Sequence, residues 1–306
     1  MATERYNSAM SVMYQVRKVR RDGVSQRYWV NPSREHDDAV TAVMGSDLAK
    51  AESHKKQELA RELMQVPSVQ ESLYRSLVRK YEETKSSDLK PMLFLQRYLS
   101  RGYPEAESLL MRLATEPSSW NVRSVAIQTI VASMNLRAPR LIREVLDKAP
   151  DEWTARFAID QLASYLIFTM QNLFNKGITP TRESVLDALE TLGLALQGKW
   201  GRLEGEITFI LYALSYERSK FERAVQGQIP ARVEETLIDG LMSVLALRTV
   251  SDHDFERALD VVKEWGSAYA LRKLRSLLSD ALPQQRRAMV INAINEIEHQ
   301  LKRKSR

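Results

Sequence analysis

The sequence predicts an all-α protein, an α-solenoid of antiparallel helical pairs with a short N-terminal β-hairpin or arm. Three observations support this fold class. Only 11 Gly and 10 Pro occur in 306 residues, mostly at segment ends, so long helices are permitted. Apolar residues recur at helical spacing from residue 33 onward. A proline-bounded segment followed by tryptophan occurs twice. The two tryptophans, Trp120 and Trp153, are 33 residues apart, a spacing typical of repeat proteins.

Residues 1–32 are predicted to form a basic hairpin or arm. The segments 13–19 and 24–30 alternate between apolar and polar residues, and between them lies Asp22-Gly23, a dipeptide typical of tight hairpin turns. A lone two-stranded hairpin is only marginally stable in water. We therefore expect this segment to pack on the helical body, to pair with another chain, or to stay mobile.

Residues 33–306 are predicted to form one helical repeat domain with short connections. Helix starts are marked by caps such as Thr181 and Ser251. The predicted helices lie near 33–44, 47–65, 68–84, 88–100, 104–115, 119–134, 139–148, 151–173, 181–197, 201–217, 219–226, 230–247, 252–264, 267–281 and 283–303.

Each copy of the repeat predicts a short helix, a proline-marked corner and a longer helix. Pro104 and Pro139 suit a first helical position, where the missing N–H has no intrahelical partner. Pro117 and Pro150 prevent the two helices of a copy from being continuous. Neither pair buries its apolar stripe alone, so each is expected to stack on a neighbour of the same shape.

The second helices of the two copies open with the same Trp-x-x-Arg pattern, in the segments Trp120-Asn121-Val122-Arg123-Ser124-Val125-Ala126-Ile127 and Trp153-Thr154-Ala155-Arg156-Phe157-Ala158-Ile159. This pattern resembles the repeats of HEAT and armadillo-like α-solenoid proteins, a likeness of fold that implies no activity. As structural repeat residues, Trp120 and Trp153 are expected to be buried between layers. Arg123 and Arg156 are expected to reach a carbonyl or carboxylate of the adjacent repeat.

Composition excludes several kinds of function. The chain has no Cys, which removes disulfides, thiol catalysis and cysteine metal sites. No apolar signal-peptide core or membrane-spanning run occurs, so a cytoplasmic protein without membrane contact is expected. The formal net charge is +6; residues 1–31 and 265–306 together carry +10, which leaves about −4 for the middle. The basic character is therefore local to the two ends.

Two motifs suggest chemistry, and each has a simpler explanation. The segment 193–200 fits G-x-x-x-x-G-K, but Trp200 stands where a phosphate loop needs Ser or Thr, and Gly198 suits a helix C-cap. His253 lies between two aspartates, but helix capping by Ser251 explains that pattern without a metal. The sequence predicts no enzyme, no cofactor and no metal site.

The best binding candidates lie in the N-terminal hairpin, where cations alternate with aromatic residues. This pattern suits a nucleic-acid backbone with stacked bases, an acidic protein surface, or a basic edge that only solubilises. We expect a non-enzymatic interaction scaffold that binds a protein partner or another copy through its solenoid surface and basic ends; the alternative is an RNA- or DNA-coating protein. The candidate binding residues are Tyr14, Arg17, Lys18, Arg20, Arg21, Arg27, Tyr28 and Trp29.

Overall fold

The computed structural model of the chain describes residues 34–44, 64–84, 88–116, 119–175, 181–203, 205–278 and 282–304. Throughout those ranges the regular structure is helical and no strand occurs, which confirms the all-α prediction for this part of the chain. The chain divides into two compact units, residues 1–135 and 136–306. The predicted hairpin lies outside the described residues, and so does nearly all of the predicted helix at 47–65. One helical repeat domain over 33–306 stays a prediction.

The first unit packs its helices around a common apolar core. Its described helices are α1 (Arg34–Val43), α2 (Pro67–Thr84), α3 (Leu93–Ser100), α4 (Pro104–Thr115) and α5 (Trp120–Ala132), with a 3-10 turn at Lys90–Met92. α2 packs against α1, α4 and α5, and α3 packs against α4 and α5. Leu73, Leu95, Leu110 and Ile127 are fully buried at these contacts.

A buried carboxylate fastens α1 to α2. Asp37 is almost fully buried, and its two oxygens accept hydrogen bonds of 3.1 and 3.0 Å from the Arg75 guanidinium. A second guanidinium, that of Arg79, lies 3.8 Å away. Paired, charge-assisted hydrogen bonds of this kind compensate the cost of burying a carboxylate.

The second unit contains nine described helices, which we divide into two rows. The first-helix row is α6 (Ala138–Lys148), α8 (Arg182–Leu196), α11 (Ala231–Ala246) and α13 (Ala268–Leu277). The second-helix row is α7 (Glu152–Asn175), α9 (Glu206–Leu214), α12 (Asp252–Trp265) and α14 (Gln284–Lys304). The short α10 (Arg218–Ala224) packs against α7 and α8.

Within each row, every helix packs against the next helix of that row. The contacts follow the order α6, α8, α11, α13 in one row and α7, α9, α12, α14 in the other. The rows are joined by contacts of α6 with α7, of α8 with α7, of α11 with α12 and of α13 with α14. Each internal helix is thereby covered on several sides, and most of its apolar residues are buried.

Neighbouring helices of the second-helix row run in the same direction. The guanidinium of Arg156, near the start of α7, donates a 2.9 Å hydrogen bond to the Arg202 carbonyl just before α9. α12 and α14 are joined at their starts by the ion pair of Asp252 with Arg286 at 2.8 Å and further along by Lys263 with Glu296 at 3.5 Å. These side-chain contacts set the register between adjacent helices.

α8 and α11 approach each other at two glycines. A Cβ atom added to Gly193 would lie 2.9 Å from the Leu237 Cα, and one added to Gly240 would lie 2.5 Å from the Gly193 carbonyl oxygen. Side chains at these positions would separate the two helices. The missing Cβ atoms therefore allow backbone-to-backbone packing at the centre of the first-helix row.

The predicted helix at 201–217 is shorter in the structure, where α9 covers only Glu206–Leu214. The cause lies in the turn before it: Gly198 and Gly201 have φ of +81° and +110°, values that do not continue a helix. The turn is also tied to the preceding pair, because the Trp200 indole and the Lys199 ammonium both donate hydrogen bonds to Asp147, at 2.9 and 3.1 Å.

Candidate interaction surfaces

The sequence-predicted binding residues of the hairpin lie outside the described residues. The structure therefore neither brings them together nor separates them, and both uses proposed for them stay predictions. They are Tyr14, Arg17, Lys18, Arg20, Arg21, Arg27, Tyr28 and Trp29.

The two repeat tryptophans open their helices but are not core residues. Trp120 is the first residue of α5 and is 39% exposed; Trp153 is the second residue of α7 and is 71% exposed. The expectation that both rings are buried between layers is therefore wrong. The reason is their position, because side chains of a first helical turn point back toward the helix start, beyond the packed interior.

The two repeat arginines differ in their surroundings. Arg123 is 8% exposed within α5. Arg156 is partly exposed: it pairs with Glu152 at 3.1 Å, lies 4.0 Å from Glu206, and donates to the Arg202 carbonyl. Arg156 thus joins α7 to the segment that leads into α9.

The segment 193–200 forms a helix C-terminus. Gly193 is a buried residue of α8, and Gly198 adopts the left-handed conformation two residues after the helix ends. The Lys199 N–H donates to the Leu194 carbonyl, the bond that closes such a terminus. The Lys199 ammonium is already paired with Asp147, so this segment presents no phosphate loop.

Ser251 and Asp254 form a helix cap around His253. The Ser251 hydroxyl accepts a hydrogen bond of 3.0 Å from the Asp254 N–H and donates one of 2.7 Å to the Asp254 carboxylate. Among the described residues there is no group of three or more His, Cys, Asp or Glu side chains that could hold a metal ion. Nor does any described helix have the length and apolar character needed to cross a membrane.

Two aromatic residues lie toward the outward side of α9, next to the exposed Thr208, and the sequence analysis did not identify them. After Glu206 the helix has no charged residue; its buried side is Ile207, Ile210, Leu211, Ala213 and Leu214. α7 and α12 cover its two flanks. Tyr212 is 47% exposed, and Phe209, one turn before it, is partly buried. We call Phe209 and Tyr212 the aromatic face.

Neighbouring polar groups hold the rings at this surface. The Arg257 guanidinium, from α12, lies 6.0 Å from the centre of the Tyr212 ring. Just beyond α9, the Tyr216 hydroxyl is hydrogen-bonded to Gln171 of α7, and its ring meets Phe221 edge to face at 6.3 Å. The cation of α12 and the ring of Tyr216, which packs on the buried Phe221 of α10, thus lie on either side of the α9 C-terminal end.

A half-buried carboxylate, Asp160, lies near the start of α9. Asp160 is one turn after Arg156 on α7, and Glu206 is the first residue of α9. Burial raises the pKa of Asp160, and the Glu206 carboxylate raises it further. Within the described ranges Asp160 forms no ion pair, whereas Glu206 has Arg156 at 4.0 Å.

Asp160→Asn is expected to stabilise the protein at neutral pH. A carboxyl group with a raised pKa binds its proton more tightly in the folded chain, so its contribution favours folding at low pH and is lost as the pH rises through the raised value. We expect a gain of less than about 0.5 kcal/mol at pH 7, because solvent screens a half-exposed group. The gain should vanish near pH 3, below the ordinary Asp pKa of about 3.9.

Urea unfolding of both proteins at the two pH values measures this difference. Glu235→Gln, which removes an exposed acid from α11, is the matched control and should change stability little at either pH. A destabilised Asp160→Asn variant at pH 7 would show that the carboxylate has a stabilising partner.

Ion pairs dominate the opposite row of the second unit. The Glu190 carboxylate of α8 pairs with Arg143 of α6 and with Arg232 of α11, both at 2.9 Å. Asp239 of α11 pairs with Lys273 of α13 at 2.8 Å. These charges satisfy one another between neighbouring helices of the first-helix row.

A cleft of about 740 Å³ opens between the end of α11 and the start of α14. Its most prominent polar group, the Arg286 guanidinium, donates hydrogen bonds to the Val250 carbonyl at 2.7 Å and to Asp252 at 2.8 Å. It also lies 4.8 Å from the centre of the Phe255 ring. These interactions join α14 to the loop before α12, so the Arg286 guanidinium is already bonded within the chain.

Comparison with known proteins assigns no family. No protein-family model matches the chain, and no curated protein matches it. One similar solved structure is a chain from work on "Computational Design of Self-Assembling Cyclic Protein Homooligomers"; it is 12% identical, with 99% of this chain and 95% of that chain covered, and the TM-score is 0.18. A TM-score this low supports no argument about fold or assembly.

Proposed function

We propose that the chain is a non-enzymatic interaction scaffold, an α-solenoid of antiparallel helical pairs whose second-helix row binds a protein partner. The solenoid proposal is supported by the packing order in the second unit, where each helix contacts the next of its row. Side-chain bonds between successive pairs, such as Arg156 to the Arg202 carbonyl, span sequence separations typical of HEAT repeats.

The aromatic face is the observation that carries the binding proposal. An outward helix side in a water-soluble bundle is ordinarily polar. On α9 that side presents the exposed Tyr212 and the partly buried Phe209 beside Thr208, with Arg257 against the Tyr212 ring. Aromatic residues and arginine are enriched in protein interfaces and supply much of their binding energy. The basic chain ends are proposed as further contacts, with an acidic partner or another copy.

Tyr212→Ser is expected to weaken partner binding at least about tenfold, because it removes an exposed ring and the cation–π contact with Arg257. Ile291→Ser is the matched control. Ile291 of α14 is also apolar and 42% exposed. Arg286 and Glu296, five residues before and after it, both contact α12. At helical spacing Ile291 therefore lies on the side of α14 that faces away from α12. This variant should bind as the unaltered protein does.

The partner is isolated from cells that naturally produce the chain by its retention on the unaltered protein, and is then purified. Isothermal calorimetry measures its affinity for the unaltered protein, for Tyr212→Ser and for Ile291→Ser. The proposal is supported if the unaltered protein and Ile291→Ser bind the partner equally well and Tyr212→Ser binds it more weakly. Equal binding by all three proteins contradicts it. Retained material that is nucleic acid by its ultraviolet absorbance, with affinity falling steeply as salt increases, would favour the RNA- or DNA-coating alternative instead.

A further inference from the structure

The connection between α9 and α11 is longer than the other connections between successive pairs of the second unit. Residues 215–230 link these two helices, whereas residues 176–181 link α7 to α8 and residues 266–267 link α12 to α13. Connections of about two to eight residues are usual between neighbouring helices of a bundle. The segment 215–230, which includes α10, therefore exceeds what the connection requires, and we call it the strap.

The strap adds a buried side chain beyond the last turn of α9. α9 has nine residues and α7 has 24, so at 1.5 Å per residue their lengths are about 14 and 36 Å. α10 packs against α7 and α8, and its Phe221 side chain is fully buried. The centre of the Phe221 ring lies 5.8 Å from that of Trp265, the last residue of α12. The strap thus contributes to the core between α7 and α12.

The start of α10 is bonded to the later helices. The Arg218 guanidinium pairs with the Glu234 carboxylate of α11 at 3.0 Å and donates a 2.7 Å hydrogen bond to the Trp265 carbonyl of α12. The Arg218 backbone N–H also donates to the Glu264 carboxylate of α12, at 3.1 Å. This part of the strap is therefore joined to both α11 and α12.

The turn after α10 is bonded to α8. Arg182, the first residue of α8, donates hydrogen bonds to the Val225 carbonyl at 3.3 Å and to the Gln228 carbonyl at 3.1 Å. Between these carbonyls the chain turns at Gln226, whose φ of +52° is uncommon for a residue with a side chain. Such conformations persist where the surrounding contacts impose them, and the bonds from Arg182 supply such contacts.

We infer that the strap couples the helices on either side of it: α6 to α9 and α11 to α14 open together while the strap is bound, and separately once it is released. In a stack of helical pairs each pair contacts only its neighbours, so parts of the stack can open locally. The strap opposes local opening because it joins α8 to α11 and α12 and also packs against α7. This inference goes beyond the proposed function and does not depend on which partner the chain binds.

Hydrogen exchange of the full chain, measured by mass spectrometry in peptides from α8 and from α12, tests the coupling. Leu189→Ala weakens α8, in which Leu189 is fully buried. With the strap bound, this substitution should speed exchange at least about tenfold in α12 as well as in α8, because the two helices open together.

The strap is released by combining Arg182→Met with Phe221→Ser. These substitutions remove the hydrogen bonds from α8 and the buried ring of α10. They leave Gly193 and Gly240 unaltered, so the direct contact of α8 with α11 is the same in both backgrounds. In the released background Leu189→Ala should still speed exchange in α8 at least about tenfold, but in α12 by less than about twofold.

Lys220→Met is the matched control, because it removes from the strap an ammonium that pairs with Glu217 of the same segment at 3.2 Å. In that background the response of α12 to Leu189→Ala should remain at least about tenfold. Two results overturn the inference: no response of α12 while the strap is bound, or an equal response of α12 after release. If the double variant does not fold, Arg182→Met alone decides by the same comparison, with a response of α12 at least about threefold smaller than with the strap bound.

Discussion

Gly240→Ala is expected to destabilise the second unit by about 2 kcal/mol, although alanine is the better helix former. The added Cβ atom would lie 2.5 Å from the Gly193 carbonyl oxygen and 2.9 Å from the Leu196 Cβ. Backbone cannot move aside as a flexible side chain can, so the overpacking costs about 3 kcal/mol. Helix propensity returns about 1 kcal/mol, and the clash therefore prevails.

Gly205→Ala provides the control for this substitution. A Cβ atom at Gly205, just before α9, meets nothing within 4 Å, so its stability change should remain within about 0.5 kcal/mol. Urea unfolding followed by circular dichroism measures both variants. A Gly240→Ala variant as stable as Gly205→Ala would mean that α8 and α11 do not approach at their backbones.

Local sequence signals predicted the helices well. Ser251 accepts a hydrogen bond from the Asp254 N–H and Thr181 one from the Ser184 N–H, so these two caps mark helix starts as predicted. Pro104 marks the start of α4 and Pro139 lies near the start of α6, also as predicted. The start of α9 was missed because it depends on a turn anchored to the preceding pair, and Asp147, its anchor, is distant in sequence.

The surface features could not be predicted in the same way. The hydrophobicity of Trp153 suggested burial, but burial requires a neighbour that covers the ring, which the sequence does not specify. Seven of the nine residues in the segment 206–214 are apolar or aromatic, so its periodicity did not reveal which of them face outward. The packing role of Gly193 could not be predicted either, because its contact with α11 arises only in the folded chain.

Arg218→Met is expected to destabilise the second unit by about 3 kcal/mol. The Arg218 guanidinium, from α10, pairs with the Glu234 carboxylate of α11 at 3.0 Å and donates a 2.7 Å hydrogen bond to the Trp265 carbonyl at the end of α12. It also lies 5.7 Å from the centre of the buried Trp265 ring. Methionine has a side chain of similar length but no charge. The nearly buried Glu234 carboxylate therefore loses its cation, which costs several kcal/mol.

A second substitution separates the charge from the packing. Adding Glu234→Leu to Arg218→Met should recover part of the lost stability, because the unpaired carboxylate is then gone, while the Trp265 carbonyl still lacks its donor. Lys220→Met is the matched control: its ammonium pairs at 3.2 Å with Glu217 at the surface, so removal should cost less than about 0.5 kcal/mol. Thermal unfolding of the unaltered protein, of Arg218→Met, of Glu234→Leu and of the double variant measures the coupling, with Lys220→Met unfolded alongside them. Additive effects of the two substitutions would show that Arg218 and Glu234 act independently and that the loss arises from the contacts with α12.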